Sequence, residues 1–337
     1  MFNELSFMKR LIIGTIATLL GVGMTAQEKT VVQGEFEPGT EPAEVEFFYR
    51  SGESLAVPVK NHRFRVELPT DKTKSYDVSM GRYTDATIVP EGGTLTISRR
   101  GNGRYTVSSD KANSLSVRVD SLISFRRRNY KDSTLMINEY KRVVSANRDN
   151  AVGYVALFFL TNFGNTDPRT KYELVNSLSP EMLVEPRTAK LKSDIEALYG
   201  TSVGMMFKDF SGVGVDGGTL SLSDFAGKGK YLLLDFWSTG CGPCRKAFPH
   251  IRELYDELAG ETFDILGVPV WEEASLSRRM IKDGGLVWHN ILATGESAAS
   301  LYGVTFVPTY LLLGPDGKII ARDDLSVIES MIRKLVK

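Results

Sequence analysis

The sequence predicts a small all-β domain near the N-terminus, a helical segment, and an α/β domain at the C-terminus. Three observations carry this reading. Residues 28–110 hold short alternating runs broken by Pro38-Gly39, Ser51-Gly52, Glu91-Gly92-Gly93 and Gly101-Asn102-Gly103, the punctuation of strands joined by tight turns. Over 111–200 glycine falls to Gly153, Gly164 and Gly200, and apolar residues recur at helical spacing. Beyond residue 203, apolar strands alternate with helical stretches, as in a sheet covered on both faces.

Near its start the chain has Met8-Lys9-Arg10, then an apolar run from Leu11 to Ala26, and turns polar at Gln27. A basic stretch, a short apolar core and a small residue before a polar start describe a secretory signal peptide cleaved after Ala26. An uncleaved membrane anchor is the alternative, but the run of about 16 residues is short of the ~20 that a bilayer span needs. No cysteine lies in it, which excludes a lipid-anchored start. The expected organisation is a signal peptide (1–26), a β-rich domain (27–110), a helical spacer or bundle (111–200) and the α/β domain (201–337), in a periplasmic protein. The 41 basic and 41 acidic side chains cancel. That balance removes the simplest argument for nucleic acid or an acidic partner.

The strands expected in the first domain are Lys29–Glu35, Glu44–Arg50, Arg63–Leu68, Tyr76–Met80, Thr94–Ser98 and Tyr105–Val107. Alternation is plainest in Arg63-Phe64-Arg65-Val66-Glu67-Leu68. Strands at this spacing suggest a small sandwich or barrel. His62 reads as a turn residue and Arg99-Arg100 as a hairpin end. In the helical segment, Leu115, Val119, Leu122 and Phe125 share one face, and Leu135 to Val144 repeat the pattern. Ala151–Phe163 is the most apolar helix, too short to span a bilayer. Helices over Lys171–Ser177 and Ser179–Leu198 follow, the latter opening with Ser179-Pro180-Glu181, a cap and a first-turn proline. Arg126-Arg127-Arg128 reads as a solvated face.

In the α/β region, Phe210 to Val215 and Thr219–Leu222 form a hairpin around Asp216-Gly217-Gly218, and Ser223-Asp224-Phe225 starts a helical turn. Gly227-Lys228-Gly229-Lys230 is a turn without the spacing of a phosphate loop. Tyr231–Trp237 is a buried central strand, followed by a helix over Pro243–Leu258. Phe263–Val268 (strand), Ser275–Asp283 (helix), Trp288–Ala293, Thr309–Leu313 and Lys318–Ala321 (strands), and Asp324–Val336 (helix) complete it.

Both cysteines of the protein, Cys241 and Cys244, fall in the turn between the central strand and its helix. A bridge closing so small a loop constrains the unfolded chain little, so a structural role is weak. Zinc needs about four ligands; there are three histidines, only His250 near Cys241 in sequence, and no second cysteine pair. A redox role remains. Spacing of three at a helix start puts Cys241 at the N-terminus, where free N–H groups and the helix dipole favour a thiolate, and Cys244 one turn in. Cys241 is then the nucleophile on a substrate disulfide, and Cys244 resolves the mixed disulfide. Pro243 fits a helix start, where its missing N–H costs nothing.

Asp235-Phe236-Trp237-x-x-x-Cys241-Gly242-Pro243-Cys244 resembles thioredoxin, and 203–337 resembles the exported TlpA/ResA group of thiol–disulfide oxidoreductases. Pro249 inside the helix, Leu220-Ser221-Leu222-Ser223-Asp224-Phe225-Ala226-Gly227-Lys228 before the central strand, and Val307-Pro308-Thr309 extend the match. The resemblance implies a thioredoxin-like fold for the α/β domain. It implies a cis bond before Pro308 that brings the Val307 backbone beside Cys241 to pair with substrate, with Trp237 counted among the substrate-side residues. It also gives a role to Asp235, an anomalous acid in an apolar strand: a buried proton acceptor for Cys244, its pKa held up by burial. A water-facing acid at the strand edge is the plain alternative. The first domain is similar to the β-rich domain ahead of thioredoxin-like domains in exported Bacteroidetes proteins, through Val31-Val32-Gln33-Gly34, Val59-Lys60-Asn61-His62-Arg63-Phe64 and Ile88-Val89-Pro90-Glu91-Gly92-Gly93-Thr94-Leu95-Thr96-Ile97.

Two departures stand out. Gly240 replaces the tryptophan that usually precedes the first cysteine, and Gly212-Val213-Gly214 stands where ResA-type proteins carry a glutamate. Trp271, Trp288 and His289 read as packing or rim residues, with Trp271 a candidate for lining the groove, and His250 as a helix-surface residue. The function expected is an exported thiol–disulfide oxidoreductase that reduces protein disulfides without cofactor or metal. The family implies a membrane thiol reductase as electron donor. The alternatives are a binding protein or chaperone on the same platform and a peroxiredoxin-like peroxidase; Ser238 suits the latter, but Leu234 stands where a proline is wanted.

Overall fold

The computed structural model describes residues 28–49, 53–81, 84–99, 103–162, 166–292 and 297–336. The expected signal peptide, and the expected turns at Ser51-Gly52 and Gly101-Asn102, lie outside the described residues.

Eight strands open the fold: β1 (Lys29–Glu35), β2 (Glu44–Tyr49), β3 (Glu53–Pro58), β4 (Arg63–Pro69), β5 (Tyr76–Ser79), β6 (Thr84–Ile88), β7 (Gly93–Arg99) and β8 (Tyr105–Ser109). They form two four-stranded sheets, β4-β1-β7-β8 and β3-β2-β5-β6. Val32, Phe64, Leu95 and Ile97 of the first sheet share one core with Val45, Phe47, Val78 and Ile88 of the second, making a sandwich. The alternation that marks β4 in sequence is this one-faced burial. β3 and β6 were not expected. β3 lies at a sheet edge, where Leu55 stays exposed, and β6 carries Asp85 next to a bulge against β5, so neither shows clean alternation. His62 sits in the β3–β4 turn with φ 63° and its Nδ1 2.8 Å from Glu41.

Six helices follow: α1 (Leu115–Asn129), α2 (Ser133–Ala146), α3 (Ala151–Thr161), α4 (Pro168–Asn176), α5 (Pro180–Val184) and α6 (Pro186–Gly200). Ser114, Asp132, Asn150, Asp167, Ser179 and Glu185 cap them in turn, each side chain accepting from a first-turn N–H. Met136, Tyr140, Leu157, Leu160, Met182 and Ile195 centre their common core. The single helix expected over 179–198 is broken in two. Pro186 has no N–H to continue α5, and Glu185 before it is extended (φ −63°, ψ 127°). Glu185 restarts the chain as a cap, its carboxylate accepting from Thr188 N at 2.8 Å and bonding Tyr49 on β2. Arg187 lies 5.6 Å from the Tyr49 ring and 4.6 Å from the Tyr154 ring, so sandwich and helices are joined through one cation–aromatic stack.

The C-terminal region begins with a hairpin, β9 (Ser211–Val213) and β10 (Thr219–Ser221), and a 3-10 turn at Leu222–Asp224. Then come β11 (Tyr231–Trp237), α7 (Gly242–Leu258), β12 (Phe263–Pro269), α8 (Ala274–Asp283), β13 (His289–Asn290), α9 (Ser297–Leu301), β14 (Thr309–Leu313), β15 (Ile319–Asp323) and α10 (Leu325–Leu335). The sheet order is β13-β12-β11-β14-β15, with β11 parallel to β12 and antiparallel to β14. Leu233 and Trp237 pack with Ile251, Leu254, Ile328 and Ile332 of α7 and α10; Leu232, Leu234 and Phe236 pack with Ala298, Ala299 and Tyr302 on the other face. A central sheet covered on both faces, with a βαβ unit followed by an antiparallel pair, is the thioredoxin fold. The strand expected over 288–293 pairs with β12 only at His289 and Asn290; Leu292 bridges instead to Val213 of the hairpin, and Ala293 lies outside the described residues.

The helical and C-terminal regions meet at Gly303 (φ 57°), where a Cβ would lie 2.6 Å from Leu198 N and 2.8 Å from Asp194 O of α6. Beside it, Arg322 donates to Tyr302 O at 2.8 Å. Among the described residues, no helix is long and apolar enough to cross a membrane.

Candidate active site at the end of the central strand

Every residue of β11 from Leu232 to Trp237 is buried, so its direction fixes where the chain emerges. The chain then turns through Ser238-Thr239-Gly240, and Cys241 caps α7. Cys241 and Cys244 are joined in a disulfide within one helical turn. Cys241 Sγ accepts from Cys244 N at 3.0 Å and lies 3.6 Å from Val307 O. The two sulfurs differ in access: Cys241 is partly exposed and Cys244 is 1% exposed. A reduced Cys241 would sit among the unpaired N–H groups of the helix start, which favour a thiolate. The peptide bond Val307–Pro308 is cis, and both residues are partly exposed.

Asp235 is 1% exposed, and neither carboxylate oxygen has a hydrogen-bond partner. Burial alone pushes its pKa up to about 8. A water-facing acid is thereby ruled out. Strand alternation puts Asp235 on the face of Leu233 and Trp237, and Cys244 belongs to the core on that face. Its cross-strand neighbours are Gly267 on β12, which has no side chain, and Tyr310 on β14. The Tyr310 pKa is raised, first by burial and then by Asp235.

The structure thus brings Cys241, Cys244 and Val307 together and puts Asp235 on the face of the sheet that Cys244 covers; Trp237 differs from the expectation. Trp237 is fully buried, its Nε1 donating to Asn290 Oδ1 at 3.3 Å and its ring set edge-on to Phe248 at 5.3 Å. It supports α7 from below and offers substrate no side-chain surface. Gly267 makes this possible, since a Cβ there would lie 2.0 Å from Asn290 Oδ1 and 3.0 Å from Trp237 Nε1. Gly267→Ala is therefore expected to cost about 2–3 kcal/mol, because the added methyl displaces a buried carboxamide and strands the indole donor. A guanidinium titration that follows the C-terminal region would measure it.

One feature was not foreseen. Glu272, just past β12, accepts from Thr239 N at 2.7 Å and Thr239 Oγ1 at 2.8 Å, while its other oxygen accepts from buried Ser277 at 2.6 Å. This clamp fixes the turn that delivers Cys241. An acid after a strand end carries no sequence signal for such a role. Other residues fall where expected: Trp288 is buried, His289 lies against Phe225 at 4.9 Å, and His250 pairs with Glu329 of α10 at 2.7 Å on the outer face of α7. Among the described residues, no group of three or more His, Cys, Asp or Glu could hold a metal ion.

Residues 203–322 match the family model described as AhpC/TSA family. The chain is 32% identical over 117 residues to "Thiol-disulfide oxidoreductase ResA" of Bacillus subtilis, covering 35% of this chain and 64% of that protein. It is 30% identical over 118 residues to the protein of the same name from Bacillus thuringiensis, covering 35% of this chain and 67% of the relative. Among solved structures, a thioredoxin domain of a thiol-disulfide oxidoreductase from Bacteroides vulgatus is 27% identical with a TM-score of 0.38, covering 40% of this chain and 99% of that one. A thiol-disulfide oxidoreductase from Bacteroides fragilis is 30% identical with a TM-score of 0.35, covering 39% and 98%. Through its C-terminal region, the chain belongs to the TlpA/ResA-like thiol–disulfide oxidoreductases.

Proposed function

We propose that this protein is an exported reductase of protein disulfides, with the C-terminal region from about residue 201 as its redox domain. One observation carries the reading: a disulfide at a helix N-terminus joins a partly exposed sulfur to a buried one, on the face of the sheet that carries a buried acid. In the dithiol form, the Cys241 thiolate attacks one sulfur of a substrate disulfide. The other substrate sulfur leaves as a thiolate and takes a proton. Cys244 passes its proton to the Asp235 carboxylate and attacks Cys241 Sγ. The second substrate sulfur leaves, and the Cys241–Cys244 disulfide remains. The bridge in the structure corresponds to this last state. The backbone of Val307, next to Pro308, aligns the substrate chain beside Cys241, and Trp237 supports the helix that carries both sulfurs.

Returning to the dithiol takes two electrons and two protons, and a membrane thiol reductase is the donor we propose. The basic and apolar start of the sequence, ending at Ala26, supports export to the periplasm. The reducing direction rests on Cys-Gly-Pro-Cys, the intervening pair of thioredoxin.

Two measurements test this. The redox potential should lie near the −270 mV of thioredoxin; a value near −120 mV, that of a strong oxidant, would sink the reducing direction. Cys244→Ala should accumulate mixed disulfides with substrate proteins in the periplasmic fraction, all through Cys241. Absence of any trapped partner would count against the enzyme reading and favour a binding role for the N-terminal regions.

A further inference from the structure

We infer that Trp271, together with Phe306, selects substrates whose reacting cysteine is flanked by an apolar side chain; the inference rests on the dithiol-exchange reading above. β12 and β14 lie on either side of β11. The loop after β12 and the loop before β14 therefore flank the loop that carries Cys241. Trp271 is two residues past Pro269, which pairs with Trp237 at the end of β11. Phe306 immediately precedes Val307, whose carbonyl lies 3.6 Å from Cys241 Sγ.

Both aromatics present a large part of their surface to water, Trp271 46% and Phe306 69% exposed, in a region whose other tryptophans are buried. The Trp271 backbone is also in the left-handed region, with φ 61°. That conformation destabilises a bulky residue, and glycine would adopt it freely. Firm anchors hold it. Val270 N donates to Trp237 O at 2.9 Å on one side, and Glu272 is clamped to Thr239 on the other. An indole held in a strained backbone with nearly half of its surface still in water points to a use at the surface.

Gly240 supplies the complementary observation. It is exposed, and a Cβ built on it meets nothing within 4 Å, so room is open beside the reacting sulfur. The apolar surface around Cys241 is thus offered by the two neighbouring loops. Its occupant is an extended segment of a protein substrate aligned on Val307, with a side chain adjacent to the substrate cysteine resting on Trp271 or Phe306.

The test uses the dithiol form of the mature protein and two short peptides activated as mixed disulfides with 5-thio-2-nitrobenzoate. One carries Phe on both sides of its cysteine, the other Ser. Single-turnover rate constants should favour the Phe peptide by about tenfold, the effect of burying a modest apolar area. Trp271→Gly should bring that ratio below about threefold, Phe306→Ser should lower it, and Trp271→Phe should keep it. Equal rate constants for the two peptides in the native protein, or an unaltered ratio in Trp271→Gly, would overturn the inference. So would a lower melting temperature for Trp271→Gly, which would assign the indole to packing, or a native dimer that this variant dissociates, which would assign it to a self-interface. If neither peptide reacts, the dithiol-exchange reading itself fails.

Discussion

Cys241→Ser is expected to lower disulfide reduction by at least about a thousandfold, because a hydroxyl cannot replace the thiolate that attacks. Cys244→Ser should behave differently. It retains the first step and stalls at the mixed disulfide, so one equivalent of leaving thiol appears and turnover stops. Access distinguishes the two sulfurs: in the reduced protein, iodoacetamide at pH 7 should label Cys241, partly exposed at the helix start, and spare Cys244, which is 1% exposed. Mass spectrometry of the alkylated protein reads this directly. Preferential labelling of Cys244 would reverse the assigned roles.

Asp235→Asn should separate stability from catalysis. The folded pKa of Asp235 is raised to about 8 from 3.8, and burial is the cause. The sign follows. Below pH 4 the carboxyl is protonated in both folded and unfolded chains, and its contribution does not change with pH. Between pH 4 and 8 the unfolded chain releases the proton while the folded chain holds it, so stability falls by about 1.4 kcal/mol per pH unit. Above pH 8 the loss is complete. The asparagine variant lacks this loss, and its amide is buried without partners just as the protonated carboxyl is, so a net gain of about 5 kcal/mol is expected at pH 8 and close to none at pH 4. Denaturant titrations of the oxidised protein at the two pH values test it; equal differences at both would show that Asp235 is not the titrating group. The same change should slow decay of the mixed disulfide about a hundredfold at pH 7, since Cys244 loses its proton acceptor. In the native protein that step should accelerate as pH rises toward 8.

The sequence made the redox centre readable because its parts are contiguous or carry strong local signals. β11 shows as an unbroken apolar run, α7 as a Pro-started helix, and Pro308 through the resemblance of Val307-Pro308-Thr309. Asp235 was legible because a lone acid inside such a run conflicts with burial. The Glu272–Thr239 clamp was not, because it is a tertiary contact between two loops with no local pattern. Nor was the break at Glu185-Pro186, where an apolar period continues across the junction and the proline outweighs it. α9 is five residues long and rich in alanine and serine, below the length at which periodicity identifies a helix. β13 is short because Leu292 already bridges to Val213 of the hairpin, a tertiary pairing that only the folded sheet reveals.

The bridge between Cys241 and Cys244 has a thermodynamic corollary. It closes a loop so short that it does almost nothing to restrain the unfolded chain. Folding and oxidation form a closed cycle, so any departure of the folded site's potential from that of the unfolded dithiol must reappear as a difference in melting behaviour between the two redox forms. About 30 mV corresponds to about 1.4 kcal/mol. A strong oxidant owes its potential to a reduced form that outlasts the oxidised one on heating. A site tuned to donate electrons holds its disulfide form more firmly than such an oxidant does. Melting the two forms side by side therefore reports the direction of electron flow before any substrate is known.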